Sequence, residues 1–384
     1  MDAPAPFLPG LALSERFFHQ AVAPLLAQHL PALRYGAGRL GTGSDVLGFD
    51  TPQSRDHDWG PQVELYVAEA AFSDDLRASI GRLMADELPF EIEGYPTHFA
   101  TPDVDGGQMA ATQQRPIAHK VRVTTARAFF TRYLGVDPLR PRGLAPVEWL
   151  AIPEQHLRTV TSGAVFRDDL GELVRARAAL AAYPHDVWLY LLAAQWRRIE
   201  QEEAFVGRCG DTGDDLGSRV VTARLVRELM RLAFLLERQY APYSKWFGTA
   251  FGQLDCAARL QPSLTAALAA DSWRERERHL GAAYALVAEL HNGLGITEPL
   301  PTAISPFYGR PYLVIHGDRF AAAIQQRITD PEVRRLPRCA GSTSQWVDST
   351  DVQWTHWYGP LRRLYGEVGD LERVLFGHAG VARW

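Results

Sequence analysis

Between Ser14 and Leu30 the apolar residues Phe17, Phe18, Ala21, Val22, Leu25 and Leu26 share one helical face, with Ser14 as N-cap and Pro24 as a kink. Leu33 to Leu40 reads as a short strand that runs into glycine-rich text. Val63-Glu64-Leu65-Tyr66-Val67 alternates as a half-buried strand does. A helix opens at Ser73-Asp74-Asp75, where acids favour the dipole, and Leu76, Ile80, Leu83 and Met84 form its stripe. Two more strands are expected, at Phe90-Glu91-Ile92-Glu93 and Lys120-Val121-Arg122-Val123-Thr124, with loop text in TPDVDGGQMAATQQRP between them.

After residue 140 the pattern turns helical, with LRPRGLAP as a linker. Helices are expected over Val187 to Phe205, with Asp186 as cap, and over Arg219 to Arg238. A third runs from Arg274 to His291, between the capping box Ser272-x-x-Glu275 and Asn292-Gly293. The first two are apolar around much of their circumference, which places them inside a bundle. The expected fold class is therefore α+β: a mixed sheet flanked by helices over residues 1–140, then a larger all-α domain over residues 141–384.

Composition leaves this picture intact. Of 384 residues, 46% are apolar, enough for a core of this kind, and the formal net charge of -5 argues against a polyanion-binding surface. Nucleic acid is thus not the expected partner, and small-molecule chemistry fits better. Cys209, Cys256 and Cys339 are odd in number and widely spaced, so neither a disulfide framework nor a zinc site is indicated. The N-terminus lacks signal-peptide character and no stretch is long and apolar enough to span a bilayer, so a cytoplasmic location is expected. Nothing here sets an oligomeric state.

The chemistry concentrates in LGTGSDVLGFDTPQSRDHDWG, Leu40 to Gly60. Gly36-x-Gly38-x-x-Gly41 matches dinucleotide-binding spacing but lacks the buried strand and following helix that motif needs. Gly43-Ser44, followed by Asp56-His57-Asp58, carries more. On a strand, Asp56 and Asp58 would face the same way and share a cation, while His57 would face oppositely as a structural residue. Magnesium is held by one or two carboxylates plus substrate phosphate oxygens. Gly43 permits close approach, and the Ser44 hydroxyl and nearby amides suit phosphate.

This spacing resembles the signature of the nucleotidyltransferase superfamily with the polymerase-beta type fold, which includes aminoglycoside nucleotidyltransferases and minimal antitoxin-like transferases. The motif spans about residues 30 to 125. GSDVLGFDTPQSRDHDWGPQ, HKVRVTTARAFFTRYLG and YAPYSKWFGTAF resemble more closely a branch known only as a domain of unknown function. The resemblance implies phosphate contacts at Gly43 and Ser44, magnesium at Asp56 and Asp58, and a nucleoside triphosphate substrate such as ATP. It also implies a third carboxylate from a later strand; Arg122 stands centrally in Lys120 to Thr124, and Glu91 and Glu93 are the nearby acids. Glu202 and Glu203 are candidates for a general base by the same analogy, beside their reading as a solvated helix end.

Lys245, set among Tyr240, Tyr243, Trp246 and Phe247, either reaches phosphate or snorkels to water. Arg224, Arg227, Arg231 and Arg238 follow one helical face, read as a salt-bridged stripe with Glu228 and Glu237 as partners. GDTGDDLGS, residues 210–218, reads as a polar turn, and the aromatic run Trp354 to Tyr358 as core packing. The expected activity is transfer of a nucleoside monophosphate, AMP foremost, to a hydroxyl of a small-molecule acceptor with release of pyrophosphate. The alternatives are a nucleotide-binding regulatory pseudoenzyme, given the missing third acid, and a helical interaction protein.

Overall fold

The structure is a computed structural model that describes residues 7–56, 58–100 and 107–376, the side chains of Asp56 and Phe376 apart. His57, expected to face away from the two aspartates, and residues 101–106, within the expected loop text, lie outside the described residues. The chain divides into two compact units, one of Met1–Gly143 with His156–Ala181 and one of Leu144–Gln155 with Ala182–Trp384. The first crossing falls within LRPRGLAP, but a returning segment beyond the boundary read at residue 140 belongs to the first unit.

The first unit opens with α1 (Gly10–Phe17), a π-helical turn over Phe18–Val22, and α2 (Ala23–His29). The cap is Pro9 rather than Ser14, which is buried and accepts from the Gln62 amide. The π turn lies just before Ala23-Pro24, where the proline has no amide to continue an α register. Then follow β1 (Tyr35–Arg39), the four-residue α3 (Ser44–Leu47), a 3-10 turn over Pro52–Asp56, β2 (Gln62–Val67) and α4 (Asp74–Glu87). Ser73 caps α4 through the Leu76 amide.

Two small hairpins, β3 (Glu91–Ile92) with β4 (Tyr95–Pro96) and β5 (Phe99–Ala100) with β6 (Gln108–Met109), precede β7 (Lys120–Thr124) and α5 (Ala126–Leu134). The principal sheet runs β7-β2-β1-β8, with β8 spanning Ala164–Asp168. Strand β2 is parallel to β7 and antiparallel to β1, which is antiparallel to β8. The sheet is therefore mixed.

Strand β2 is buried at all six positions, not half-buried as its alternation suggests, because it lies between two neighbours and the core of Phe17, Val22, Ile80 and Met84 packs in the same cluster. Glu64 is buried with it. Gly36 and Gly38, the first two glycines of the dinucleotide-like spacing, lie within β1: a Cβ on Gly38 would stand 2.6 Å from the Ala164 carbonyl oxygen, and one on Gly36 2.9 Å from Leu173 Cδ1. They let β8 and the helix after it come close.

The chain leaves this unit through α6 (Pro146–Ala151), returns along α7 (Glu154–Thr161), β8 and α8 (Glu172–Leu180), and leaves again. The second unit continues with α9 (His185–Glu202), α10 (Phe205–Asp211), α11 (Asp215–Leu236), α12 (Ser244–Phe251), α13 (Ala257–Ala269) and α14 (Trp273–Gly293). A hairpin of β9 (Ser305–Phe307) and β10 (Arg310–Val314) follows, then α15 (Gly317–Gln325), α16 (Thr343–Trp346) and α17 (Tyr358–Phe376). The expectation of an all-α region after residue 140 is thus corrected by β8 and the β9-β10 hairpin.

Pro184, not Asp186, precedes α9; the Asp186 carboxylate instead accepts from the Thr329 and Asp330 amides. Asp214 caps α11 through Gly217, and Ser272 caps α14 through Glu275, so GDTGDDLGS is a helix start as well as a turn. Trp196 stacks on Phe320 at 4.1 Å and marks the core between α9 and α15. Among the described residues, no helix is long and apolar enough to cross a membrane.

Candidate functional site

The glycine-serine turn is built around a buried ion pair. Arg39, at the end of β1, donates from Nε to Asp45 Oδ2 at 2.7 Å and from Nη2 to Asp45 Oδ1 at 3.0 Å, with further bonds to the carbonyls of Leu40 and Thr42. Both side chains are almost fully buried. Gly43 has φ 145°, and a Cβ there would collide with Asp45 Oδ1 and Arg39 Nη2. The glycine is required first by this ion pair. Ser44, half-buried at the start of α3, has no hydrogen bond from its hydroxyl among the described residues.

The outer side of the turn is closed by the returning segment. The Gly41 amide donates to the Thr159 carbonyl at 3.3 Å, and the Gly163 amide to the Val46 carbonyl at 3.0 Å. Arg158 lies 5.5 Å over the Phe49 ring, and Phe49 in turn bonds the Ser44 carbonyl through its amide.

The two aspartates are not on a strand. Asp56 ends a 3-10 turn and Asp58 has φ 52°, in the left-handed region that aspartate tolerates better than most residues. The even spacing that would align them on one face of a strand therefore does not apply, because β2 begins only at Gln62. The backbone of Asp58 is held by its amide on the Gly107 carbonyl and by Gln62 Nε2 on its own carbonyl, at 2.8 Å. Trp59 next to it is anchored by Asp50, to which its indole donates at 2.9 Å.

Asp58 Oδ1 accepts from the Lys120 ammonium, whereas Oδ2 has no partner among the described residues. The Asp58 side chain is 59% exposed and that of Lys120 7%. Burial raises the Asp58 carboxyl, but the hydrogen bond and charge of Lys120, with Arg122 and Arg39, outweigh it and hold the group below its ordinary value. Burial pulls the Lys120 ammonium down, with Asp58 opposing.

A third carboxylate is present that the sequence reading did not single out. Glu64, central in β2, lies 3.7 Å from Arg39 and 3.5 Å from Arg122 and accepts weakly from the Leu40 amide. Burial raises its carboxyl, and the two guanidinium groups oppose this. Its signal was an acid inside an otherwise apolar strand. Around the turn stand Arg39, Lys120 and Arg122 against Asp45, Asp58 and Glu64.

Glu91 and Glu93 do not join this group. Glu93 has φ 52°, so the pair shares no strand face, and its carboxylate is taken by Gln20 and by Arg16 at 3.1 Å. Neither is linked to Asp58 or Arg39 by a hydrogen bond or ion pair among the described residues. No group of three or more His, Cys, Asp or Glu side chains among the described residues is placed to hold a metal ion. Among the described residues, the open oxygen of Asp58 could take part in holding one magnesium ion together with phosphate oxygens, and no three-carboxylate set is assembled for two.

In the second unit, Glu202 pairs with Arg224 at 2.6 Å. Glu203 is 2% exposed and accepts from the amides of Ile315, His316 and Gly317 at the start of α15, so it is an internal anchor rather than a solvated helix end. The arginine stripe is salt-bridged, but by other partners than expected: Arg227 meets Asp348 and Arg231 meets Glu154, while Arg238 lies 3.9 Å over Trp188. Glu228 serves Arg198 and Gln195, and Glu237 accepts from the amides of Asp255 and Cys256. Lys245 is exposed on the first turn of α12, its ammonium 5.1 Å over Trp246. Trp354 is 60% exposed and Trp357 40%, so of the aromatic run only Tyr358 is core.

Residues 149–247 match the family model described as Domain of unknown function (DUF4037). None of the curated proteins matches the chain. Among solved structures, the chain is similar to a nucleotidyltransferase-like protein from Exiguobacterium sibiricum 255-15, with a TM-score of 0.31 and 9% identity over 84% of this chain and 96% of that one. The family match lies C-terminal to the stretch from Gly43 to Asp58.

Proposed function

We propose that the first unit carries a magnesium-dependent nucleotidyltransferase site, which moves a nucleoside monophosphate, AMP foremost, from the triphosphate to a hydroxyl of a small-molecule acceptor. The observation that carries this reading is Arg39, which is bonded to the Gly43-Ser44 turn through Asp45 and Thr42 and lies 3.7 Å from Glu64 of β2, the strand whose Gln62 holds the Asp58 backbone. One guanidinium thereby couples a turn suited to phosphate with an open carboxylate.

In the reaction the acceptor oxygen bonds to the α-phosphorus and gives up its hydroxyl proton to solvent, as the bond from the α-phosphorus to the oxygen bridging to the β-phosphorus breaks and pyrophosphate leaves with the electron pair. Magnesium, when bound with the triphosphate, would neutralise its charge and polarise the reacting phosphoryl group. The Ser44 hydroxyl and the turn amides would hold phosphate oxygens, Asp58 with Asp56 would hold the ion, and the Arg39–Asp45 pair keeps the turn in shape.

Nucleoside triphosphates with magnesium should raise the melting temperature of the whole chain, and Asp56→Ala with Asp58→Ala should abolish the rise. A panel in which no nucleotide shifts the melt at saturating concentration sinks the proposal. The pairing of Asp58 with Lys120 favours a second reading, a nucleotide-binding regulator without transfer. Pyrophosphate release in the presence of a pool of hydroxyl acceptors separates the two.

A further inference from the structure

We propose that Lys120 occupies the cation position at Asp58 in the nucleotide-free protein, so that a divalent metal enters only together with the triphosphate. This rests on the nucleotidyltransferase reading of the site. The ammonium lies on Asp58 Oδ1, its side chain is 7% exposed, and Nζ stands 4.5 Å over the Phe99 ring. A surface lysine yields its partner readily to a competing ion. This one has a buried stem and is held on two sides, by Asp58 and by the Phe99 ring.

Lys120 opens β7 and pairs in register with Gln62 of β2, whose side chain holds the Asp58 carbonyl. Ammonium and carboxylate are thus located by the same strand pair. Arg39 and Arg122 act on Asp58 by their charge as well but have Asp45 and Glu64 as their own partners, so Lys120 is the cation that a lone divalent ion must displace. A triphosphate brings its own negative charge to the same place and reverses the balance. Lys120 is accordingly a positioning residue: it neutralises and orients Asp58 until nucleotide and metal arrive as one complex.

Binding of manganese alone, followed by calorimetry and by the spin resonance of the free ion, tests this with no nucleotide present. The wild-type chain should bind no manganese at Asp58 at millimolar concentration. Lys120→Met should create a site, tighter by about tenfold or more, since one unit charge at contact distance is removed. Asp58→Asn added to Lys120→Met should abolish it, and Lys120→Arg should behave as wild type.

Wild-type binding that Asp58→Asn removes would overturn the proposal, as would a folded Lys120→Met chain that binds no manganese. If circular dichroism shows that Lys120→Met does not fold, Lys120→Gln takes its place and the wild-type comparison still decides. Nucleotide binding is measured separately: its absence defeats the nucleotidyltransferase reading, whereas the metal-only contrast reports on Lys120 alone.

Discussion

At the scale of single residues, the turn depends on a charge pair out of reach of water. Asp45→Asn leaves the Arg39 guanidinium without its bidentate partner at a position 3% exposed, and should cost about 3–5 kcal/mol in chemical denaturation. Arg122→Gln removes a cation that is 54% exposed and should change stability by less than about 1 kcal/mol. Equal costs for the two would mean that Arg39 and Asp45 do not shape the turn. His291, fully buried in the second unit, has Nδ1 without a partner, and burial lowers its pKa to about 4. The unfolded chain takes up this proton near pH 6.5 and the folded chain only near pH 4, so the contribution is complete above pH 6.5 and lost as pH falls toward 4. Melting curves across that interval should show the slope in the wild type and a shallower one in His291→Phe.

At the scale of elements, the closest approach is between β1 and the chain entering β8. A Cβ on Gly163, which has φ 73°, would collide with the Arg39 carbonyl oxygen, a backbone atom that cannot turn aside. Gly163→Ala should therefore destabilise by more than about 2 kcal/mol, through strain and loss of β1-β8 pairing. Gly81→Ala in α4, where nothing lies within 4 Å, should be neutral or stabilise by about 0.5–1 kcal/mol. Urea denaturation of the two variants gives the comparison directly.

The elements divide sharply into those legible in the sequence and those that are not. The helix capped by Ser73, the β2 and β7 strands and α14 with its capping box follow from local period and cap chemistry. Strand β8 was missed because it forms only against β1, so its signal is a distant partner and not a local pattern. In the candidate site, Gly43 and Ser44 were legible as a turn. The left-handed backbone at Asp58 was not, because spacing in a sequence does not reveal φ; nor was Lys120, whose role depends on the parallel register of β7 with β2.

At the scale of the whole chain, the boundary between units is crossed three times, after Gly143, Gln155 and Ala181. A division drawn from composition sees one crossing, since only LRPRGLAP carries linker residues. The segment matched by the unknown-function family begins at residue 149, inside α6, and ends at residue 247, inside α12, so it takes in the whole returning portion of the first unit. A family boundary and a folding boundary are thus different things here. The route of the chain also has a consequence for biosynthesis. As the polypeptide emerges from the ribosome, β1 carries an open edge until Ala164–Asp168 appears, after α6 has already been made. The amides of Gly41 and Gly163, which close the glycine-serine turn, pair with the Thr159 and Val46 carbonyls, so they too wait for the returning segment. A nascent chain paused before residue 159 therefore displays a glycine-serine turn open on its outer side, and a translational stall there would expose the β1 edge to chaperones.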